Sequence, residues 1–397
     1  MTMAADKQDK VLNVPPLRFP EFTGEWKVCK VADYGKVITG NTPSTAELDN
    51  YINGQFLWVS PADLGRAKYI TDTQTKLSSK GFDKTRKLPI GSILVTCIGS
   101  TIGKMGMASI EMSTNQQINS VVVNSQHDKH FVYYALQSRF PKYLTSVAVQ
   151  AVPILSKSSF ENLKSYRTTL EEQRKIGTLL NLIDERIATQ IRAIEKLQSL
   201  MSGICESLLY SDTGENVKLG DILSERIEKT IANNQYEILS STVKGIFLQR
   251  EYFSKDIASE NNVGYKIVRL NDIVLSPQNL WMGNINFNDK FQIGSVSPSY
   301  KIFTIAERFY KPYIAAMLKT HRALYSYELV SEQGASIVRR NLNIEAFEQL
   351  AFKIPSYDKQ VKIGRTISML QQQIDLTKKQ CLVMTRQKQW LLKQMFI

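Results

Sequence analysis

Two pentapeptides, QRKIG at Gln173–Gly177 and QVKIG at Gln360–Gly364, stand 187 residues apart in a chain of 397. Each begins a long run of apolar residues spaced by threes and fours. The first run is Ile176, Leu180, Ile183, Ile187, Ile191, Ile194, Leu197, Met201, Ile204 and Leu208. The second is Ile363, Ile367, Leu370, Ile374, Cys381, Met384, Leu391 and Met395, interrupted by the polar Thr377 and Lys388. This spacing predicts two helices with a coiled-coil seam, each roughly 60 Å long at 1.5 Å per residue. A helix that long cannot leave its stripe in water, and the nearest partner is the other copy. The alternative, two unrelated core helices, requires lengths that globular helices rarely reach.

The repeat extends beyond the helices. A shift of 187 also superposes Phe160-Glu161 on Phe347-Glu348 and Leu163 on Leu350, and a shift of 188 places Val31 and Asp33 on Leu219 and Asp221. GSILVTCIGS (91–100) resembles NDIVLSPQNL (271–280), each a turn, a β-branched run and small polar residues. AVPILSKSSFENL (151–163) answers IVRRNLNIEAFEQL (337–350). The expected order is globule, helix, globule, helix. Its segments are an arm at 1–24, domains at 25–169 and 211–356, and helices at 170–210 and 357–397. Strand-like runs (FLWVSPADL, SILVTCI, INSVVVN; KIVRLNDIVLS, SYKIFTI) precede helix-like ones (KHFVYYALQSRFPKYL; RFYKPYIAAMLKTHRALYSYEL), so both globules read as α+β.

The net charge of +13 is an argument about polyanionic partners, not about fold. Residues 1–169 hold 20 basic against 13 acidic side chains, 170–210 hold 5 against 6, 211–356 hold 17 against 16, and 357–397 hold 8 against 2. The excess is therefore spread through folded sequence, with no basic tail. No apolar run approaches the roughly 20 residues that span a bilayer, and the first sixteen residues lack a signal-peptide core. Four scattered cysteines suit a reducing compartment. A cytoplasmic protein without membrane partners is expected.

Catalytic chemistry finds little support. GSTIGKM (99–105) has three residues between its glycines where a phosphate loop needs four, and Met105 stands where Ser or Thr would hold magnesium. HDKH (127–130) offers two histidines without a second ligand pair, so no metal site is expected and the motif reads as a surface turn before a helix at 131. No glycine-rich strand-to-helix turn marks a site for S-adenosylmethionine. NVPPL lacks the aromatic of an adenine methyltransferase motif. Candidates for nucleic-acid contact are Ser100 and Lys104 in the Gly-Ser loop, Gln116 and Gln117 in STNQQINS, Gln278 and Asn279 in SPQNLWMGN, and Arg339, Arg340 and Asn341 in SIVRRNL. Arginine suits guanine or phosphate, and the amides suit adenine. These groups fall in matching regions of both halves.

PPLRFPEFTGEWK near the start, both Q-x-K-I-G openings, GSILVTCIGSTIGK and GSVSPSY (294–300) resemble the specificity subunits of type I restriction–modification systems, over essentially the whole chain. The resemblance implies two target-recognition domains, each reading one half of a split double-stranded DNA site. It also implies that the family's conserved helices pack antiparallel as a spacer. Ile176, Leu180, Ile183, Ile187, Ile194, Ile363, Ile367, Leu370 and Ile374 would then serve as spacer and subunit-interface residues. Two methyltransferase subunits would carry S-adenosylmethionine, and restriction/translocase subunits would use ATP and magnesium. This chain itself would hold no cofactor and do no chemistry. The sequence lacks the short tandem repeat that would mark spacer length, and base-reading residues do not transfer from the resemblance. Two other readings stay open: a coiled-coil assembly adaptor that does not bind DNA, and a self-contained DNA methyltransferase.

Overall fold

The structure is a computed structural model that describes residues 13–147, 154–209, 214–252, 261–333 and 340–397. The chain divides into two compact units, one of residues 1–192 and 378–397, the other of residues 193–377. The division falls inside both long helices, Leu170–Leu209 and Tyr357–Gln394.

The first unit is α+β. A five-stranded sheet has the order Gly35–Thr39, Ile118–Val123, Ile93–Thr96, Met105–Ala108, Tyr69–Ile70. A three-stranded sheet is built from Thr75–Leu77, Phe56–Val59 and Ser113–Thr114. Ile93–Thr96 is buried at every position, which is why it reads as a continuous apolar run rather than an alternating one. Helix Lys129–Val147 sends Phe131, Tyr134 and Leu136 into the main core.

The second unit repeats the plan. Its four-stranded sheet runs Leu223–Arg226, Lys301–Ile305, Ile273–Leu275, Ile285–Phe287, the order and antiparallel pairing of the first four strands above. Each unit begins with the same device, a strand, one helical turn and a second strand: Lys27–Lys30, Val31–Tyr34 and Gly35–Thr39, then Glu215–Lys218, Leu219–Ile222 and Leu223–Arg226. The opening strands pair antiparallel with Lys164–Arg167 and Ala351–Ile354, the strands that lead into the long helices. One helix-like run of the sequence divides. Lys311–Met317 stops and His321–Leu329 starts afresh, because the Thr320 side chain accepts the Ala323 amide as an N-cap.

The repeated pentapeptide is a joint. Gln173 is buried; its amide donates to Thr168 O at 2.8 Å and accepts the Asp128 N–H at 3.1 Å. Gln360 is buried in the same way, donating to Pro355 O at 2.9 Å and accepting the Tyr310 N–H at 3.0 Å. Each glutamine thus ties its long helix to the backbone at the start of the globule's own helical segment. The glycine four residues on allows the approach. A Cβ on Gly177 would stand 2.3 Å from Asp128 Oδ1 and 2.9 Å from Phe131 N, and one on Gly364 would stand 2.8 Å from Tyr310 Cδ1 and 2.9 Å from Tyr313 N. Ile176 and Ile363 are buried beside them. HDKH belongs to this joint and is not a surface turn: the helix starts at Lys129, and His127 is buried against Gln173 and Tyr34.

Within each unit, the start of one long helix packs beside the end of the other, so the pairing is antiparallel. In the first unit Ile176 and Leu180 share a core with Leu392, Met395 and Phe396, and Lys388 pairs with Asp184 at 2.6 Å. In the second, Ile363 and Ile367 share a core with Leu209. The polar interruptions of the seam are satisfied: Lys388 by that ion pair, and buried Thr377 by a bond from its hydroxyl to Gln373 O at 2.7 Å. Two expected seam positions turn outward. Ile191 is 44% and Leu208 36% exposed, and Leu209 takes the inner place. The 3.6-residue turn drifts from a strict three-four spacing over such a length.

The arm at residues 13–24 closes the first unit. Arg18 makes a two-pronged pair with buried Glu172 (2.7 and 2.8 Å) in the first turn of the central helix. The Leu17 N–H caps Gln394 O at 2.8 Å. Lys68, beside the same helix, donates to Asn181 Oδ1 at 2.6 Å and Tyr134 OH at 3.0 Å among the rings of Tyr69, Tyr133 and Tyr134. Burial pulls its pKa down to about 8, against the opposing pull of Asp184.

Gly177→Ala is expected to lower stability by about 1–3 kcal/mol through overpacking. Gly203→Ala, where an added Cβ meets nothing within 4 Å, gains up to about 1 kcal/mol from helix propensity. Denaturant titration of the two variants checks the opposite signs. For Lys68 the folded pKa lies below the unfolded one, so the charged form burdens the fold at neutral pH and the burden lifts as pH rises from about 8 toward 10.5. Wild type therefore gains stability between pH 7.5 and 10 relative to Lys68→Met, as read from denaturation midpoints at both pH values.

Candidate nucleic-acid interface

In the first unit three loops meet where strands Gly35–Thr39, Ile93–Thr96 and Ile118–Val123 end or begin. The Gly99–Gly103 turn returns on itself through Gly103 N–H to Thr96 O at 2.9 Å, with both glycines at positive φ. It lies beside the 115–117 turn, since Cys97 N–H donates to Gln117 O at 2.8 Å. Asn41 N–H donates to Thr114 O at 2.9 Å and brings in the 40–43 segment. Ser100, Lys104 and Gln116 are exposed on this end. Gln116 Oε1 accepts the Thr42 hydroxyl, which fixes the amide's orientation. Gln117 is half-buried and bonded to Asn115, as a support for the turn. The Lys104 stem lies over Gly65, where a Cβ would stand 3.2 Å from it.

Arg86 sits at the same edge, exposed, with its guanidinium donating to Thr39 O at 2.7 Å and its backbone N–H to Asn41 Oδ1 at 2.9 Å. The sequence reading passed over it, although the basic run Lys84-Thr85-Arg86-Lys87 was a visible signal.

The matching end of the second unit carries the 276–284 loop between strands Ile273–Leu275 and Ile285–Phe287. Gln278 is exposed, and Asn279 Oδ1 accepts Asn284 Nδ2 at 3.1 Å. The loop rests on a buried polar network. Asn286 Nδ2 reaches Ser241 Oγ at 2.7 Å, and Lys319 Nζ reaches Asn286 Oδ1 at 2.6 Å. Burial lowers the Lys319 pKa. The SPSY run forms the adjoining turn, held by Tyr300 OH to Ser241 O at 3.0 Å. Arg340 joins this end because its N–H donates to Gln278 O at 3.0 Å. Its side chain is not a free cation, since Nη2 bonds Glu328 Oε1 at 2.8 Å. Asn341 is exposed next to it, and Arg339 lies outside the described residues. No signal in the sequence linked Glu328 or Lys319 to this loop, for they come from separate segments.

The expected spacer residues divide by depth. Ile176, Leu180, Ile363, Ile367 and Ile374 are buried, while Ile183, Ile187, Ile194 and Leu370 are half-buried. Along the two helices Leu182, Leu200, Met369, Leu376, Leu382, Val383 and Trp390 are exposed. Among the described residues no group of three His, Cys, Asp or Glu could hold a metal, and no helix is long and apolar enough to cross a membrane.

Residues 23–198 match the family described as type I restriction modification DNA specificity domain. The chain is 26% identical over 264 residues to the type I restriction enzyme MjaIX specificity subunit of Methanocaldococcus jannaschii, covering 60% of each chain. It is 30% identical over 192 residues to the HindI specificity subunit of Haemophilus influenzae, covering 45% of this chain and 41% of that one. The match thus spans about half the length of these relatives. Among solved structures, the S subunit of a type I restriction–modification system from M. genitalium shares the fold over 97% of this chain and 99% of that one, with a TM-score of 0.65 at 16% identity. Residues 23–198 are thus similar to the DNA specificity domain of type I restriction–modification systems, and the chain shares the fold of an S subunit of such a system over nearly its full length.

Proposed function

We propose that this chain reads a bipartite site on double-stranded DNA and recruits the subunits that act there. The observation that carries the reading is the duplication of a whole assembly. Two sheets of the same strand order each present polar loops at the same end, and each is locked to a long-helix pair through the same Gln–Gly joint. One chain thereby holds two readers of different sequence on equivalent mounts. Each reads one half-site, and the helix pair sets the gap between them, as a fixed element sets half-site spacing in dimeric DNA-binding proteins. The exposed apolar side chains of the two helices suit docking of two methyltransferase subunits, which bring S-adenosylmethionine and methylate adenine. Restriction/translocase subunits bring ATP and magnesium. The chain itself performs no chemistry, and it works in the cytoplasm where these partners and the DNA are found.

The experiment is a methylation map. The chain is expressed with a methyltransferase partner in a methylation-free host, and N6-methyladenine is located by single-molecule sequencing. A split motif with a fixed unspecified gap, absent when this chain is omitted, is expected. A contiguous motif that persists without it would favour the adaptor reading. Labelling of the isolated chain by photo-crosslinked S-adenosylmethionine would revive the self-contained methyltransferase.

A second outcome concerns the gap. Four residues inserted after Ile194, about one helical turn, lengthen the unspecified gap and leave both half-site sequences unchanged. An unaltered gap in the same map would sink the role of the helices as a ruler.

A further inference from the structure

We infer that Arg340 reads a guanine in the half-site contacted by the second unit, and that Glu328 and Trp281 are its positioning residues; this rests on the DNA-reading function proposed above. Three contacts hold the arginine. Its N–H donates to Gln278 O at 3.0 Å, which ties strand Arg340–Leu342 to the exposed 276–284 loop. Its guanidinium carbon lies 4.8 Å from the centre of the Trp281 ring. Its Nη2 donates to Glu328 Oε1 at 2.8 Å, and Nη1 approaches Glu328 O at 3.5 Å. Glu328 belongs to helix His321–Leu329 and Trp281 to the turn Leu280–Met282, so two separate elements converge on one side chain. Nε is buried without a hydrogen-bond partner, while Nη1 and Nη2 each carry a second N–H beyond the one directed at Glu328. Exposed Gln278 and Asn341 flank it.

A planar fork held by stacking on one face and a carboxylate at one corner has lost its rotamer freedom before any ligand arrives. Such a fork matches the paired acceptors O6 and N7 on the major-groove edge of guanine. The same arrangement is poor for phosphate. A phosphate contact draws on net positive charge and tolerates a flexible side chain, whereas Glu328 cancels the charge of Arg340 and would itself be repelled by the DNA backbone. A guanine edge is uncharged and needs donors in a fixed geometry, which is what this cluster supplies. The carboxylate thus acts as a filter that favours base over backbone.

The test uses the chain assembled with its methyltransferase partner on duplexes randomised across the half-site read by the second unit. Wild type is expected to prefer guanine at one position there. Arg340→Ala and Arg340→Lys both flatten that preference by roughly ten- to a hundred-fold and leave the other half-site unchanged; the lysine variant keeps the charge and loses only the fork. Glu328→Gln flattens the same position more weakly, an effect that a merely structural role would spread over every position. The proposal falls if that half-site contains no guanine, or if Arg340→Lys retains full discrimination. It falls equally if Arg340→Ala weakens all sequences alike with a shallower salt dependence, the mark of a phosphate contact. Thermal melts of the three variants separate loss of reading from loss of fold. If wild type methylates no split motif at all, the function on which the inference rests fails instead.

Discussion

A buried glutamine amide that must find both an acceptor and a donor fixes where each globule sits on its helix. A primary amide taken out of water without partners costs on the order of 2 kcal/mol or more. Gln173 and Gln360 meet that demand only when the backbone carbonyl five residues back and the first N–H groups of a neighbouring helical segment are both in reach. Gly177 and Gly364 then remove the side chain that would keep those segments apart. Polar satisfaction and steric exclusion act on the same helical turn, so a small displacement breaks one or the other. Everything outward of the joint, including the loops at the sheet ends, inherits its placement from it.

Beyond this shared joint both units are secured by charge. In the first, Arg18 pairs with Glu172 and Lys388 with Asp184, and Lys68 sits within a ring of tyrosines. In the second, Arg226 pairs with buried Asp272 and Arg340 with Glu328, and a neutral network of Asn284, Asn286 and Ser241 lies beneath the 276–284 loop. Buried charge pairs are strongly penalised when one partner is removed, so the first unit tolerates few substitutions at these positions.

Much of the architecture was legible because it rests on periodicity and repetition. The long helices announced themselves through Ile176, Leu180, Ile363 and Ile367, and the matched strands through GSILVTCIGS and NDIVLSPQNL. Features that depend on contacts between distant segments were not legible. HDKH reads as a polar turn until Gln173 is found packed on His127. Leu208 and Leu209 cannot be told apart by spacing alone, since the drift of the helix chooses between them. The polar candidates were recognisable as residue types, and Ser100, Gln116 and Gln117 do come to one sheet end. That Arg340 carries a carboxylate partner, or that Arg86 lies beside Thr39, is information held only by the folded chain.

The first unit is discontinuous in the chain: residues 378–397 supply Leu392, Met395 and Phe396 to a core that already holds Trp26 and Phe131. On the ribosome, the 185 residues from Ala193 to Thr377 must be made before that core can close. At roughly 5–20 residues per second this is a delay of roughly ten to forty seconds. For that interval Trp26 and the start of the central helix lack their last apolar partners. The topology therefore makes closure of the first core wait on residues 378–397, and a chain that stops before them keeps that core open.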